Sequence, residues 1–379
     1  MNKGIMIIGG GVLQIPALKK AKELHLNTYL TDGDEYCLAK SYADFFYKID
    51  TKDIESNANL AVELRRAGKI IAVYTQGTDV EYAVAYAAAK AGLPGINPRA
   101  ALNCNDKITM REILSDHGIE DVEFAKAKTI EELRNAVKKV EFPCYIKPAD
   151  NCGSRGITRI VDDENLESVF KKAIESCCHR KEVLVESEIR GQEYSIDTVI
   201  YLGKLYPAGI SDRIFLQKEK YAVQIGSRTP SLLPETIQDG MYKIMEKAAR
   251  ALGITNGAFK GDLVVDENNK VRIIEVTART SGGFDSQLRK PLSFGIDLIK
   301  ATMDIACGYP LDPLDLVPKW VKWSSTISTL SEPGIISDIM GIDEVKKMKG
   351  VHDVIMLAKI GDTIEFYDNC AKRKNFIIS

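Results

Sequence analysis

Apolar and polar positions alternate in two rhythms along this chain, and the rhythms predict its elements. Residues 5–8 form a short apolar run that meets Gly9-Gly10-Gly11. Leu13, Ala17, Leu18, Ala21 and Leu24 then recur at helical spacing. Thr28-Tyr29-Leu30 and the polar turn Thr31-Asp32-Gly33-Asp34 follow. Strand, glycine turn, helix, strand and acid open a doubly wound α/β domain. Residues 69–74 read as another strand, the alanine-rich residues 80–91 as a helix, and Gly92-Leu93-Pro94-Gly95 closes the unit. A first domain over residues 1–103 is expected.

A second module opens near Asn105-Asp106-Lys107 with a helix through about Asp116. Residues 142–148 are a strand that runs into the glycine loop of residues 151–156. Strands at 183–186 and 193–201 and a long helix at about 239–252 come next. Two further strands, 257–266 and 270 onward, are joined by the turn formers Asp266-Glu267-Asn268-Asn269-Lys270 and should pair as a hairpin. Pro310, Pro313 and Pro318 mark a linker, which gives a second domain over 104–310 and a small α+β subdomain over 311–379.

Each hairpin strand carries a carboxylate inside a run that otherwise reads as buried: Asp262 and Glu275. Two acids side by side in a sheet repel each other and lose hydration, which costs several kcal/mol unless a cation is shared. Mg²⁺, a hard ion that takes carboxylate and phosphate oxygens, is the simplest such cation. The plainer alternative is an acid facing solvent on an edge strand.

Composition excludes other classes. The 379 residues suffice for two or three domains, and 45% hydrophobic with 27% charged residues is ordinary for a globular protein. With 51 basic and 53 acidic residues the net charge is −2, and no basic stripe suggests nucleic acid. No stretch is apolar enough to span a bilayer, and no signal peptide is expected from the opening residues. Eight scattered cysteines without a C-x-x-C pair argue against zinc and fit a reducing cytoplasm.

The glycines at the start are a weak signal. Gly9 and Gly11 begin a dinucleotide-type turn, but Gln14 stands where the third glycine belongs. Asp32 lies where a ribose-binding acid would sit, so a nicotinamide-dependent oxidoreductase stays open as an alternative, beside a plain strand-to-helix turn or an anion-binding helix start. In the second module, Lys147 ends an apolar strand directly before a loop with Gly153, Ser154, Arg155 and Gly156, a fair phosphate cradle. Lys107 supplies a second cation. The stretch Glu186-Ser187-Glu188-Ile189-Arg190-Gly191-Gln192-Glu193 follows a strand, and its three acids suit an adenosine better than a phosphate. Taken singly, these features equally describe a surface lysine and polar turns.

In their order, these motifs resemble the ATP-grasp family of carboxylate–amine ligases, over nearly the whole chain. Asp106-Lys107 is similar to the family's first ATP-contacting lysine motif, and Y-I-K-P-A-D-N-C-G-S-R-G to its second lysine and phosphate loop. V-L-V-E-S-E-I-R-G-Q-E-Y-S-I-D resembles its hinge and ribose-binding acid, which implies roles for Glu186, Ile189 (through backbone) and Glu193. G-D-L-V-V-D and I-I-E-V-T-A-R resemble its metal hairpin. Two departures stand out. The first metal acid is the shorter Asp262 where Glu is usual, and Thr277 replaces the usual Asn, which puts the third metal ligand in doubt. R-T-S-G-G-F-D-S-Q-L-R-K and the C-terminal segment resemble the L-amino-acid ligase group.

The resemblance implies an ATP-grasp fold with an N-terminal doubly wound domain, and ATP with Mg²⁺, for which Mn²⁺ can substitute. It implies ADP-forming amide synthesis through an acyl phosphate, from a small-molecule carboxylate and an amine of amino-acid or amino-sugar type. Phosphorylation of bicarbonate is an alternative within the same fold. Lys107, Lys147 and residues 153–156 would hold the triphosphate, Arg279 would stabilise the acyl phosphate, and Arg289 would anchor a substrate carboxylate. Dimerisation is common in the family, so a homodimer is one expected assembly.

Overall fold

The computed structural model describes residues 3–216 and 223–379. Its N-terminal sheet is parallel, in the order Phe45–Lys48, Asn27–Asp32, Gly4–Ile8, Ala72–Tyr74. Gly4–Ile8 is buried throughout, as a central parallel strand covered on both faces must be. Ile5 and Ile7 pack with Ala17, Leu18 and Ala21 of the helix Ile15–Glu23, whereas Met6 and Ile8 face Ala58, Ala61 and Leu64 of Ile54–Arg66. A continuous apolar run therefore serves two cores.

The glycine turn after this strand is closed by the protein itself. Gly10 N–H donates to the Asp32 carboxylate at 2.6 Å, and Asp34 N–H donates to the other Asp32 oxygen at 2.8 Å. Gln14 is fully buried; its amide donates to Thr75 and Thr78 hydroxyls and to the Gln76 carbonyl, and accepts from Gln76 N–H. The residue that breaks the dinucleotide pattern thus straps the helix start to the neighbouring strand. The acid expected at a ribose is engaged with backbone. Both facts count against the nicotinamide alternative.

Three antiparallel sheets follow among the described residues, one of them only the pair Gly334–Ile335 and Thr363–Ile364. Of the other two, the smaller runs Phe124–Ala127, Val183–Ser187, Cys144–Pro148, Thr158–Ile160, and shares a core with the helices Ile130–Val140 and Leu166–Ser176. The larger has eight strands, in the order Val271–Thr277, Gly257–Val265, Gln192–Tyr201, Lys204–Leu216, Val223–Thr229, Ser324–Ile327, Asn375–Ile378, Asp353–Met356. The long helix Glu235–Leu252 begins after Pro234, four residues before the apolar spacing announces it, because its first turn is polar. Met241, Met245, Ala248 and Leu252 bury its inner face against Phe259, Leu263 and Val276. Beyond the proline linker the chain returns three strands to the large sheet, so residues 311–379 are continuous with it by hydrogen bonding.

The closed glycine turn can be tested. A Cβ added at Gly10 would lie 2.3 Å from Cys37 Sγ and 2.8 Å from its Cβ. We expect Gly10→Ala to cost about 1–3 kcal/mol in urea unfolding, as overpacking does. A variant as stable as the parent would show that this turn has room for a ligand.

Candidate active site

Strand register builds the site. Asp262 pairs directly with Glu275 and Lys260 with Thr277, so alternation puts all four on one face of the large sheet. Ser195 flanks Asp262 on the next strand. A bulge between Asp262 and Leu263 lets the acids meet squarely before the strands drift apart. The anticipated hairpin is present, but the acids do not stand unneutralised. Lys107 Nζ lies 2.6 Å from Glu275, and Lys260 Nζ 2.5 Å from Asp262, with Arg213 at 3.4 Å. Burial pushes the Asp262 carboxyl up, but Arg213 and Lys260 outweigh it and hold it below its usual range. Burial opposes the charge of Lys107 and Glu275 restores it, so this ammonium titrates above its usual range.

These acids face a cavity of about 380 Å³ whose lining includes Lys107, Lys147, Gly153, Ser154, Glu186, Ile189, Glu193, Arg213, Asp262 and Glu275. Tyr145 and Phe215 give it aromatic walls. Lys147 is ion-paired with Glu186, which also accepts from Arg111 Nη2 at 2.9 Å. Burial alone would raise the Glu186 carboxyl; Lys147 and Arg111 hold it below its usual range. Glu186 was expected at an adenosine, yet both its oxygens serve cations. Glu193 pairs with Arg213 at 3.1 Å.

The loop over the cavity needs glycine. Gly153, Ser154 and Gly156 all have φ between 62° and 74°, and a Cβ on Gly156 would meet Ser176 at 2.5 Å. Arg155 is exposed and lines a second, neighbouring cavity, and its Nε donates to the Cys152 carbonyl at 3.1 Å. Cys370 N–H donates to the Gly153 carbonyl at 3.2 Å, so the C-terminal segment touches the loop.

Three further expected residues fall elsewhere. Thr277 lines a neighbouring cavity, and its buried hydroxyl has no hydrogen-bond partner. Arg279 is ion-paired with Asp79 of the N-terminal domain. Arg289 lies outside the lining of these cavities. It is 1% exposed, on a one-turn π-helix, and paired with Asp285 at 2.8 Å. Sequence reasoning passed over Arg111, Arg213, Lys260, Asp79 and Glu81. Arg111 had a signal, a charge among the buried positions Ile108, Met110 and Leu114 of its helix. Lys260 shared the alternation of Asp262.

The donor set fits a hard divalent cation. Two carboxylates are cross-strand partners beside an unsatisfied hydroxyl, with lysines ready for phosphate. Among the described residues no three His, Cys, Asp or Glu side chains converge. A cation here would therefore complete its shell with phosphate and water oxygens.

Residues 140–287 match the sequence profile of the ATP-grasp domain. The chain carries an ATP-grasp domain. Its fold agrees: a crystal structure of an L-amino acid ligase from Bacillus licheniformis matches with a TM-score of 0.86 at 22% identity, covering 100% of this chain and 93% of that one. An N5-carboxyaminoimidazole synthetase from Staphylococcus aureus, complexed with ADP, matches with a TM-score of 0.76 at 15% identity, covering 100% and 93%. By sequence, alanine–anticapsin ligase of Bacillus subtilis (strain 168) is 26% identical over 251 residues, 59% of this chain and 51% of that protein. The chain thus spans about half the length of the curated relatives it matches first. No helix among the described residues is long and apolar enough to cross a membrane.

Within this ATP-grasp domain, Glu186→Gln keeps the shape but leaves Lys147 and Arg111 buried beside a neutral group. We expect it to lose about 3–5 kcal/mol in urea unfolding at neutral pH. The folded carboxyl titrates below the unfolded one. Its contribution is therefore complete above the usual carboxylate range and is lost as pH falls through the lower folded value. The gap between parent and variant should narrow only in acid; a gap independent of pH would refute this account.

Proposed function

We propose that this chain is an ATP-dependent ligase that joins a carboxylate to an amine through an acyl phosphate, releasing ADP and phosphate. One observation carries the reading. The paired acids Asp262 and Glu275 share a cavity with Lys107, Lys147 and a glycine loop, inside an ATP-grasp domain. The names of its relatives among alanine–anticapsin and L-amino acid ligases point to amino acids as substrates.

Lys107 and Lys147 balance the triphosphate, and the backbone of residues 153–156 cradles it. Each lysine now neutralises a carboxylate, so nucleotide binding would exchange one anionic partner for another at little cost in desolvation. Asp262 and Glu275 would hold Mg²⁺, or Mn²⁺ in its place, with Thr277 as a candidate third donor. The cation supplies charge neutralisation at the phosphate oxygens during transfer. The substrate carboxylate attacks the γ-phosphorus, and Arg279 stabilises the negative charge that develops on the acyl phosphate and the tetrahedral intermediate. Tyr145 and Phe215 offer apolar surface to a base, and Ile189 backbone groups its polar edge. Glu193 is the proposed ribose acceptor. Arg289, with Nε and Nη1 buried and unpartnered, remains the proposed anchor of a substrate carboxylate.

Asp262→Ala or Glu275→Ala should abolish ADP formation. Neither should stabilise the free protein, because each substitution strands a buried lysine. Retained turnover in Mg²⁺ would remove the hairpin from the mechanism. With hydroxylamine as nucleophile the parent should form one hydroxamate per ADP. Arg279→Ala should suppress this on the order of 10²-fold or more while weakening ATP binding far less. AMP as the nucleotide product would overturn the acyl-phosphate route.

A further inference from the structure

We propose that Asp79 and Glu81 of the N-terminal domain form the seat of the amine substrate, with Glu81 the base that takes its proton. The proposal rests on the ligase reading above. It begins from a second cavity, of about 200 Å³, which shares Lys107, Asn151, Cys152 and Glu275 with the first and adds Thr277, Asp79 and Glu81. A molecule there would lie against Glu275, one of the two proposed metal acids, and apart from Tyr145 and Phe215, which line the first cavity and not this one.

Its polar lining is incomplete. Glu81 is 3% exposed; Oε1 accepts from Asn105 Nδ2 at 3.2 Å, but Oε2 has no hydrogen-bond partner. The cation nearest Oε2 is Arg279 Nε at 4.0 Å, and that nitrogen is also buried and unpartnered. A buried polar group left unmade costs about 1–3 kcal/mol, and the unpartnered Glu81 oxygen is the acceptor here that a ligand with N–H donors would complete. The charge says which kind. Beside Glu81 two carboxylates share the guanidinium of Arg279; of the cations in the lining, Lys107 is held by Glu275 and Arg180 by Asp106, while Lys52 and Arg155 are exposed, so the buried end welcomes a cation such as an ammonium.

The other acids of the lining are engaged. Glu275 is held by Lys107, Asp106 by Arg180 at 2.9 Å, and Asp150 by the backbone N–H groups of Cys178, His179 and Arg180. Among the described residues of this lining, the buried carboxylate oxygen without a hydrogen-bond partner belongs to Glu81. Burial and Asp79 raise its titration against the pull of Arg279; Asn105 donates to it and the Cys104 thiol lies near, while Lys52, Lys107, Arg155 and His179 line the same cavity. A carboxylate moved toward neutrality is a better proton acceptor.

The step balances. The amine enters as an ammonium and gives one proton to Glu81. Its lone pair forms the C–N bond at the acyl carbon, and the C–O bond to phosphorus breaks with its electrons leaving on phosphate. The second N–H proton departs with phosphate, and Glu81 returns the first to solvent.

The test compares nucleophiles on the full chain with ATP and Mg²⁺. Hydroxylamine is largely unprotonated at neutral pH and needs no base; α-amino groups are largely protonated. The carboxylates are the twenty common amino acids, each offered with hydroxylamine and with the same twenty as amines. For Glu81→Gln we expect the ratio of amide to hydroxamate to fall on the order of 10²-fold, with the deficit shrinking as pH rises. Glu81→Asp, which keeps the charge, should recover part of the ratio, and thermal melts report whether each variant folds. An unchanged ratio in Glu81→Gln, including equal loss of both products, overturns the assignment. If the parent makes hydroxamate but no amide with any of the twenty amines, Glu81 has no amine to deprotonate and the assignment fails; if it makes no hydroxamate, the reading as an amino-acid ligase fails and takes the base with it.

Discussion

Arg111 is the hinge pin of this architecture. Its guanidinium is fully buried and ties two other pieces of chain to its own helix. It donates to the carbonyls of Ile273 and Ile274 at 3.0 and 3.1 Å, on the strand that carries Glu275. It donates to Glu186 at 2.9 Å, on the small sheet, and Glu186 in turn holds Lys147. Its own helix begins at Lys107, whose amine reaches Glu275. One side chain therefore bonds both sheets beside the cavity. Such a group is retained for position more than for stability, since an apolar replacement of a buried ion network is often no less stable.

Charge compensation explains how so many ionic groups remain buried without ligand. Lys107, Lys260 and Arg213 occupy the acids that a metal would take, and Glu186 occupies a lysine that a phosphate would take. The free protein thus holds the binding groups folded and charged. Binding then swaps partners and does not strip water from naked ions.

Much of this was legible in the chain because it rests on periodicity. The hairpin, the strand ending at Lys147 and the glycine loop are local patterns, and Asp262 and Glu275 pair as their spacing requires. What lay hidden was partnership across distance. Glu186 and Arg111 are 75 residues apart, and Arg279 and Asp79 are 200 apart. Spacing along a chain carries no information about such pairs, so Glu186 read as a nucleotide contact and not also as a counter-ion. Residues 311–379 were similarly opaque. Asn375–Ile378 enters the sheet between Ser324–Ile327 and Asp353–Met356, a return that short local runs cannot announce. The strap at Gln14 was visible only as a broken motif, and its meaning needed Thr75, Gln76 and Thr78.

Both cavities mix cations with carboxylates, and the chain segments that line them differ by domain of origin. The nucleotide end draws Lys107, Lys147 and Arg213 from residues that follow the first domain. The acids Asp79 and Glu81 come from the N-terminal domain, at the start of the helix Glu81–Lys90. Arg279 stands where the two meet, its fork on Asp79. On the proposed reading the nucleotide and the amine would meet where the two cavities share Lys107 and Glu275, beside this contact. The reactive intermediate would then form where the domains touch, away from bulk water, which is the condition an acyl phosphate needs to meet an amine before it meets a hydroxide.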